Sequence, residues 1–130
     1  KMMREEGLDN IFLRHDKHKL AMSKAVKALN LKLFADERYL SPAVTAIQTG
    51  EIDAEEFRKT IKNKFDILLA GGQDHLKGKI FRVGHLGYVN DRDIITVISA
   101  ISNTLLSLGK ITAEQAGQAL VIASKHLYSN

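Results

Sequence analysis

Residues 70–88 read AGGQDHLKGKIFRVGHLGY, and this segment carries the clearest signals of the fold. Residues 79–85 alternate in character, which predicts a strand with two different faces. These faces are Phe81, Val83 and His85 on one side, and Ile80, Arg82 and Gly84 on the other. Residues 65–70 predict a buried strand that ends at Gly71 and Gly72. Because too few residues separate the two strands for a crossover, we expect them to be antiparallel neighbours.

A long helix and two further strands precede this stretch. Apolar residues at helical spacing predict an amphipathic helix over residues 2–29 that ends near Asn30. Short apolar segments at 31–34 and 43–47 predict strands, and Pro42 fits the first position of the second strand, where no ladder donor is needed. The sheet is therefore expected to contain four short strands.

Start signals mark three more helices. Capping boxes are expected at Asp53 with Glu56 and at Thr112 with Gln115, and Asn90 is expected to cap the helix between them. The apolar stripe of that middle helix is expected to face the sheet: Ile94, Val97, Ile98, Ile101, Leu105 and Leu108. The last helix presents Ala116, Leu120, Ala123 and Leu127 on one side. The order of elements predicts an α+β fold, in which a small, mainly antiparallel sheet is covered by helices on one face.

Composition limits the function classes. The chain has 130 residues, 45% of them hydrophobic, which suffices for one compact domain without disulfides or a structural metal. It contains no Cys, so thiolate catalysis and Cys-based metal sites are excluded. The net charge of +4 is spread along the chain, which argues against a nucleic-acid partner. No apolar run approaches the roughly 20 residues that span a bilayer. Helical sequence begins at once without a leader, so we expect a soluble piece of a longer protein.

Arg82 is the residue most suited to chemistry. It lies within an alternating strand and shares its face with Gly84, which has no side chain, so the space beside it could receive a planar carboxylate in a bidentate pair. An ion pair with another part of the protein is the structural alternative. Gly71 and Gly72 fit turn chemistry and match neither a P-loop nor a dinucleotide fingerprint.

The histidines are more consistent with structural roles. His85 lies on the apolar face of its strand, where a hydrogen-bonded core residue is expected rather than a ligand. His15 and His18 are three apart on the first helix, but no third ligand candidate is nearby, so a solvated helix face is expected instead of a metal site. His75 is expected to be exposed in a loop. We therefore predict no metal site.

Residues 70–88 closely resemble the carboxyl-terminal small domain of the class V, fold-type I pyridoxal-phosphate aminotransferases, in the alanine–glyoxylate and serine–glyoxylate (serine–pyruvate) group. Similar segments precede it, EEGLDNIFLRHDKHKLAMSKAVKALNLKLFA and SPAVTAI, and the helix DIITVISAISNTLLSLG follows. The resemblance covers almost the whole chain in the same order of elements. Some bacterial members of this family carry the label of a soluble hydrogenase subunit.

The resemblance implies a role for Arg82. In that family the Arg of the FRVGH-type strand binds the α-carboxylate of the substrate, and Arg82 matches it. The other residues expected to line the site are Gly71, Gly72 and Gln73. Asp74 stands where family members often have Gly, which leaves the substrate range open. The Schiff-base Lys and the phosphate-binding residues belong to the family's large domain, so residues 1–130 are expected to be a single small domain with no catalytic residue of its own.

The function that the resemblance implies is that of a cytoplasmic, homodimeric transaminase with pyridoxal phosphate as its cofactor. Such an enzyme moves an amino group between a small amino acid, alanine or serine, and a 2-oxo acid such as glyoxylate or pyruvate. The implied partners are these substrates and the protein's own large domain, with no nucleic acid and no membrane, and the small domain by itself is expected to be inactive. The alternative is a non-catalytic α+β module that senses an amino acid through Arg82 and the turn at Gly71 and Gly72.

Overall fold

The structure is a computed structural model that describes residues 8–34, 44–84 and 90–128, and of residues 8–15 it describes the backbone only. Four helices and four strands make up these ranges. The helices are α1 (Leu8–Ala28), α2 (Ala54–Phe65), α3 (Asp91–Ser107) and α4 (Ala113–Tyr128). The strands are β1 (Lys32–Leu33), β2 (Val44–Gln48), β3 (Ala70–Gly71) and β4 (Ile80–Gly84), and a short 3-10 turn, Asp74–Leu76, separates β3 from β4.

The four strands form one antiparallel sheet in the order β1-β2-β4-β3. β4 is therefore an inner strand, with β2 on one side and β3 on the other. In this register Arg82 of β4 lies opposite Ala46 of β2 and Ala70 of β3. The predicted antiparallel pairing of the two strands that flank the turn is confirmed, since β3 and β4 are neighbours.

The helices cover one face of the sheet. Phe81 and Val83 of β4 and Ile47 of β2 join residues from all four helices in one buried core. Phe57 of α2 stacks on Phe81, with 5.3 Å between the ring centroids. The opposite face carries a smaller apolar cluster, formed by Ala46, Leu76 and Ile80. The predicted α+β fold and the alternation of residues 80–84 across the two faces are both confirmed.

Local signals set the ends of several helices as predicted. Asn90 and Asp93 form a reciprocal capping box at the start of α3. At the start of α4, the N–H of Gln115 donates to Oγ1 of Thr112 at 3.1 Å, and the N–H of Thr112 donates to Oε1 of Gln115 at 3.0 Å. After α1, Asn30 adopts the left-handed conformation with φ of 63°. These ends depend on neighbours in sequence, which is why the sequence predicts them.

Of the strand predicted over 65–70, only Ala70 lies in a strand, which extends to Gly71, so the prediction is wrong for residues 65–69. Phe65 still belongs to α2, and Asp66 closes that helix in the left-handed conformation with φ of 56°. Leu68 is 79% exposed, whereas Leu69 is buried, so the apolar run does not lie on a sheet. Pairing with β4 begins at Ala70. Residues 66–69 form a connection between α2 and β3 and not a strand.

The apolar stripe predicted for α3 is correct except at its end. Its buried members are Ile94, Ile98, Ile101 and Leu105. Leu108 is 51% exposed because α3 ends one residue before it. On α4, Ala123 and Leu127 are buried as predicted, with Ala119 beside them.

Several predictions fall outside the described residues: the first six positions of the helix predicted over 2–29, Pro42 and residue 43 of the predicted second strand, and His85. Within the described ranges, no helix combines the length and the apolar character needed to cross a membrane.

Candidate functional site

Arg82 lies on the face of the sheet opposite the helices, between two alanines on the flanking strands. The small side chains of Ala46 and Ala70 leave room for a long guanidinium to lie across the sheet. Arg82 is half-buried, and its Nε donates a hydrogen bond to the carbonyl oxygen of Gly71 at 2.9 Å. This bond fixes the orientation of the guanidinium relative to β3.

Gly84 follows Arg82 by two residues on the same strand and therefore shares its face. A Cβ atom at Gly84 would have no heavy atom within 4 Å. Among the described residues, the space beside Gly84 is therefore open, whereas the guanidinium of Arg82 lies toward Gly71. A guanidinium can present two parallel N–H donors to a planar carboxylate.

Gly71, Gly72 and Gln73 have three different environments. Gly71 belongs to β3 and contacts Arg82 through its carbonyl oxygen. Gly72 packs against the backbone of Leu76, where an added Cβ would clash with the carbonyl oxygen. Gln73 is exposed and precedes the 3-10 turn. The structure therefore brings Gly71 to Arg82, whereas Gly72 has a packing role.

Asp74 begins the 3-10 turn with φ of 53°. Glycine adopts this left-handed conformation readily, and Asp is among the side chains that tolerate it. Asp74 is thus compatible with this turn. Asp74 and His75 are both exposed, and the prediction for His75 is confirmed.

An ion pair that was not predicted from the sequence lies on the other side of β3. Arg58 donates from Nη2 to Oε1 of Glu55 at 2.6 Å and from Nε to Oε2 at 3.1 Å, so the pair is bidentate. A third donor of Arg58, Nη1, binds the carbonyl oxygen of Leu69 at 2.7 Å. The hydrogen bond from Arg58 lowers the pKa of Glu55, and the pair is charged at neutral pH. The spacing of three residues on a helix was the signal available in the sequence.

His18 does not lie on a solvated helix face, and that prediction is wrong. It is fully buried, and its Nε2 donates to Oδ1 of Asp91 at 2.9 Å. Lys17 also contacts this carboxylate, with Nζ 3.1 Å from Oδ1. The side chain of His15 lies outside the described residues. Among the side chains that the structure describes, no three His, Asp or Glu residues are grouped so that they could hold a metal ion.

Lys19 lies where helix α1 meets the start of β2. Lys19 has a lowered pKa because burial disfavours its charged form, and the nearby Asp16 opposes this effect in part. Its Nζ donates to the carbonyl oxygen of Val44 at 2.8 Å. This amine is therefore engaged at the start of β2.

Comparison with known proteins gives relatives over almost the whole chain, although no family model matches the sequence. The chain is 50% identical over 129 residues to the soluble hydrogenase 42 kDa subunit of Anabaena cylindrica, a match that covers 99% of this chain and 33% of that protein. It is 33% identical over 129 residues to the serine–glyoxylate aminotransferase of Methylorubrum extorquens, covering 97% of this chain and 31% of that enzyme.

A solved structure shows the same fold. The crystal structure of the ureidoglycine–glyoxylate aminotransferase of Bacillus subtilis matches with a TM-score of 0.84 and 33% identity, over 95% of this chain and 33% of that one. The fold is that of the aminotransferase C-terminal domain. The homologues of this chain are thus class V aminotransferases, and it spans about a third of the length of those it matches.

Proposed function

We propose that this chain is the C-terminal, substrate-binding domain of a pyridoxal-phosphate-dependent transaminase. The enzyme would transfer an amino group between a small amino acid, alanine or serine, and a 2-oxo acid such as glyoxylate or pyruvate. The observation that carries the proposal is the arrangement of Arg82: its guanidinium lies on the sheet face opposite the helices and is oriented by the carbonyl oxygen of Gly71. The class of the homologues supports it.

Arg82 would bind the α-carboxylate of the substrate. The planar guanidinium can offer two parallel donors to the two oxygens of a carboxylate. Two hydrogen bonds fix the plane of the carboxylate as well as its position. The bond from Cα to hydrogen is then held at a defined angle, which is the condition for removal of that proton.

The cofactor would be held by another domain of the same protein. Pyridoxal phosphate supplies the electron sink that makes the Cα–H bond of an amino acid acidic. The described residues of this chain would bind and orient the carboxylate, and Lys19 is engaged with the carbonyl oxygen of Val44. We assign the cofactor to a large domain, and we propose that the complete enzyme is a cytoplasmic homodimer.

The test is the Arg82→Lys variant of the enzyme that contains this domain. Lys keeps the positive charge but loses the planar pair of donors, so charge by itself should not restore function. Loss of a charge-assisted hydrogen bond costs roughly 1.5–3 kcal/mol, and we expect kcat/KM for amino acids to fall about ten- to hundredfold. Cofactor loading should be unchanged, because the contacts of the cofactor lie elsewhere.

Arg92→Lys is the matched control, since Arg92 is exposed on α3 and should tolerate the same exchange. A normal kcat/KM together with a lower melting temperature in Arg82→Lys would assign Arg82 to a structural ion pair and contradict the proposal. Binding of amino acids through Arg82 without any amino-group transfer by the wild-type protein would instead favour the sensing module.

A further inference from the structure

We infer that Arg58 is a positioning residue for Arg82 and that Glu55 holds Arg58 in place. The inference rests on the proposed role of Arg82 in carboxylate binding. Arg58 lies on helix α2, on the far side of β3 from the proposed site, and it would act through the main chain of β3.

Arg58 binds the main chain just before β3. Its Nη1 donates to the carbonyl oxygen of Leu69 at 2.7 Å, while Nη2 and Nε hold the carboxylate of Glu55. All three nitrogens of the guanidinium are thus engaged. Arg58 and Glu55 are each about one quarter exposed, so the pair is mostly shielded from water.

The ion pair of Arg58 and Glu55 also approaches Gly71 closely. A Cβ atom at Gly71 would lie 2.6 Å from Oε2 of Glu55 and 2.8 Å from Nη2 of Arg58, closer than any side chain permits. The backbone of Gly71 therefore packs directly on the ion pair. The carbonyl oxygen of the same residue accepts the bond from Nε of Arg82.

The two arginines bind carbonyl groups two residues apart, those of Leu69 and Gly71. β3 contains two residues and lies at the edge of the sheet, where it pairs with β4 alone. So short a strand has few ladder bonds to fix its position. The bonds from Arg58 to Leu69 and from Arg82 to Gly71 supply that constraint, and a displacement of β3 would move Arg82. An error of about 1 Å in the position of a binding group can strongly weaken binding and slow the reaction.

The test measures the inhibition constant of propionate, a carboxylate without an amino group, in the enzyme that contains this domain. Arg58→Met removes the hydrogen bonds of the guanidinium to Leu69 and to Glu55. We expect the inhibition constant to rise roughly three- to tenfold, the size of a lost coupling between neighbours. Cofactor loading should not change. Lys62→Met is the control, because Lys62 is on the same helix and pairs with the exposed Asp66.

Gly71→Ala is a second variant that keeps every charge. Its Cβ would displace the ends of two flexible side chains, Glu55 and Arg58, and the fold can absorb that movement. A similar rise in the inhibition constant is expected. If Arg58→Met does not fold, an unchanged inhibition constant in this variant overturns the inference.

The double variant Arg58→Met with Arg82→Lys separates the possible outcomes. If Arg58 acts through Arg82, the double variant binds propionate no more weakly than Arg82→Lys does. If the two effects multiply, or if Arg58→Met and Gly71→Ala leave the inhibition constant unchanged while Arg82→Lys raises it, the inference is overturned and the proposed function stands. If Arg82→Lys itself leaves binding unchanged, the proposed function fails first.

Discussion

The Nε2 atom of His18 lies 2.9 Å from Oδ1 of Asp91 and joins helix α1 to the first turn of helix α3 across 73 positions of sequence. His18 is fully buried, so this bond satisfies a polar group that water does not reach. Burial raises the pKa of Asp91, but the hydrogen bonds from His18 and Lys17 outweigh it and the net pKa is lowered. The carboxylate therefore ties the two helices in its charged form.

The stability contributed by Asp91 should be lost in acid. Because its pKa is lower in the folded chain than in the unfolded chain, the contribution is fully present above the ordinary carboxyl pKa and disappears as the pH falls through the lowered value. Asp91→Asn keeps an acceptor for His18 but removes the charge, and we expect a loss of about 1 kcal/mol at neutral pH. Urea unfolding at pH 7 and at pH ~3 measures both effects.

Asp66→Asn is the control for this experiment. Asp66 also has a lowered pKa, caused by its hydrogen bond with Lys62, but its side chain is 91% exposed. Solvent screens such a pair, and its removal should change the unfolding midpoint little. If Asp91→Asn changes the unfolding midpoint as little as Asp66→Asn does, the contact between His18 and Asp91 does not stabilise the fold.

The start of helix α2 should depend on Asp53. Its Oδ1 accepts a hydrogen bond from the N–H of Glu55 at 2.9 Å, whereas the capping box predicted from the sequence pairs Asp53 with Glu56. Asp53→Ala leaves this N–H without a partner inside the helix, and we expect a loss of about 1 kcal/mol in the free energy of unfolding. Asp53→Ser should retain most of the stability. Denaturant unfolding midpoints of the two variants test this prediction. An unchanged midpoint for Asp53→Ala, at an unchanged slope, would refute the assignment of Asp53 as the helix cap.

Two glycines near the candidate site should respond in opposite ways to the same exchange. At Gly72 an added Cβ would meet the backbone of Leu76, which cannot move as a side chain can, so Gly72→Ala should destabilise the domain by about 1–3 kcal/mol. At Gly84 the added atom meets nothing within 4 Å, and Gly84→Ala should be neutral or slightly stabilising. Melting temperatures of the two variants compare them. A stable Gly72→Ala protein would mean that the turn 72–76 relaxes.

The sequence predicts those features that depend on neighbouring residues. The capping pairs at Asn90 and Thr112 and the alternation that aims Arg82 away from Phe81 follow from spacings of two to four residues. The strand predicted over 65–70 fails because an apolar run does not reveal the left-handed residue Asp66 that turns the chain first.

The contacts that orient the candidate site join residues distant in sequence. The bond from Arg82 to Gly71 depends on the register of β3 against β4, and the bond from Arg58 to Leu69 depends on how α2 packs on that strand. Neither can be read from spacing. The burial of His18 is a further case, because its partner lies on another helix.

The lysines of this chain should not form a specific covalent link with the cofactor. We expect this chain, mixed with pyridoxal phosphate and reduced with borohydride, to show no single lysine that is trapped saturably at one equivalent. A Schiff-base lysine needs a deprotonated amine that faces the cofactor. The described lysine with a lowered pKa, Lys19, instead donates its hydrogen to the carbonyl oxygen of Val44 at 2.8 Å. Exposed lysines react weakly and without a common site, so labelling should be scattered and should rise with cofactor concentration. Peptide mapping of the reduced protein measures this, with Lys19→Met as the comparison. One dominant labelled peptide, saturating at an equimolar ratio, would show that this chain holds the cofactor itself and would overturn its assignment to a separate large domain.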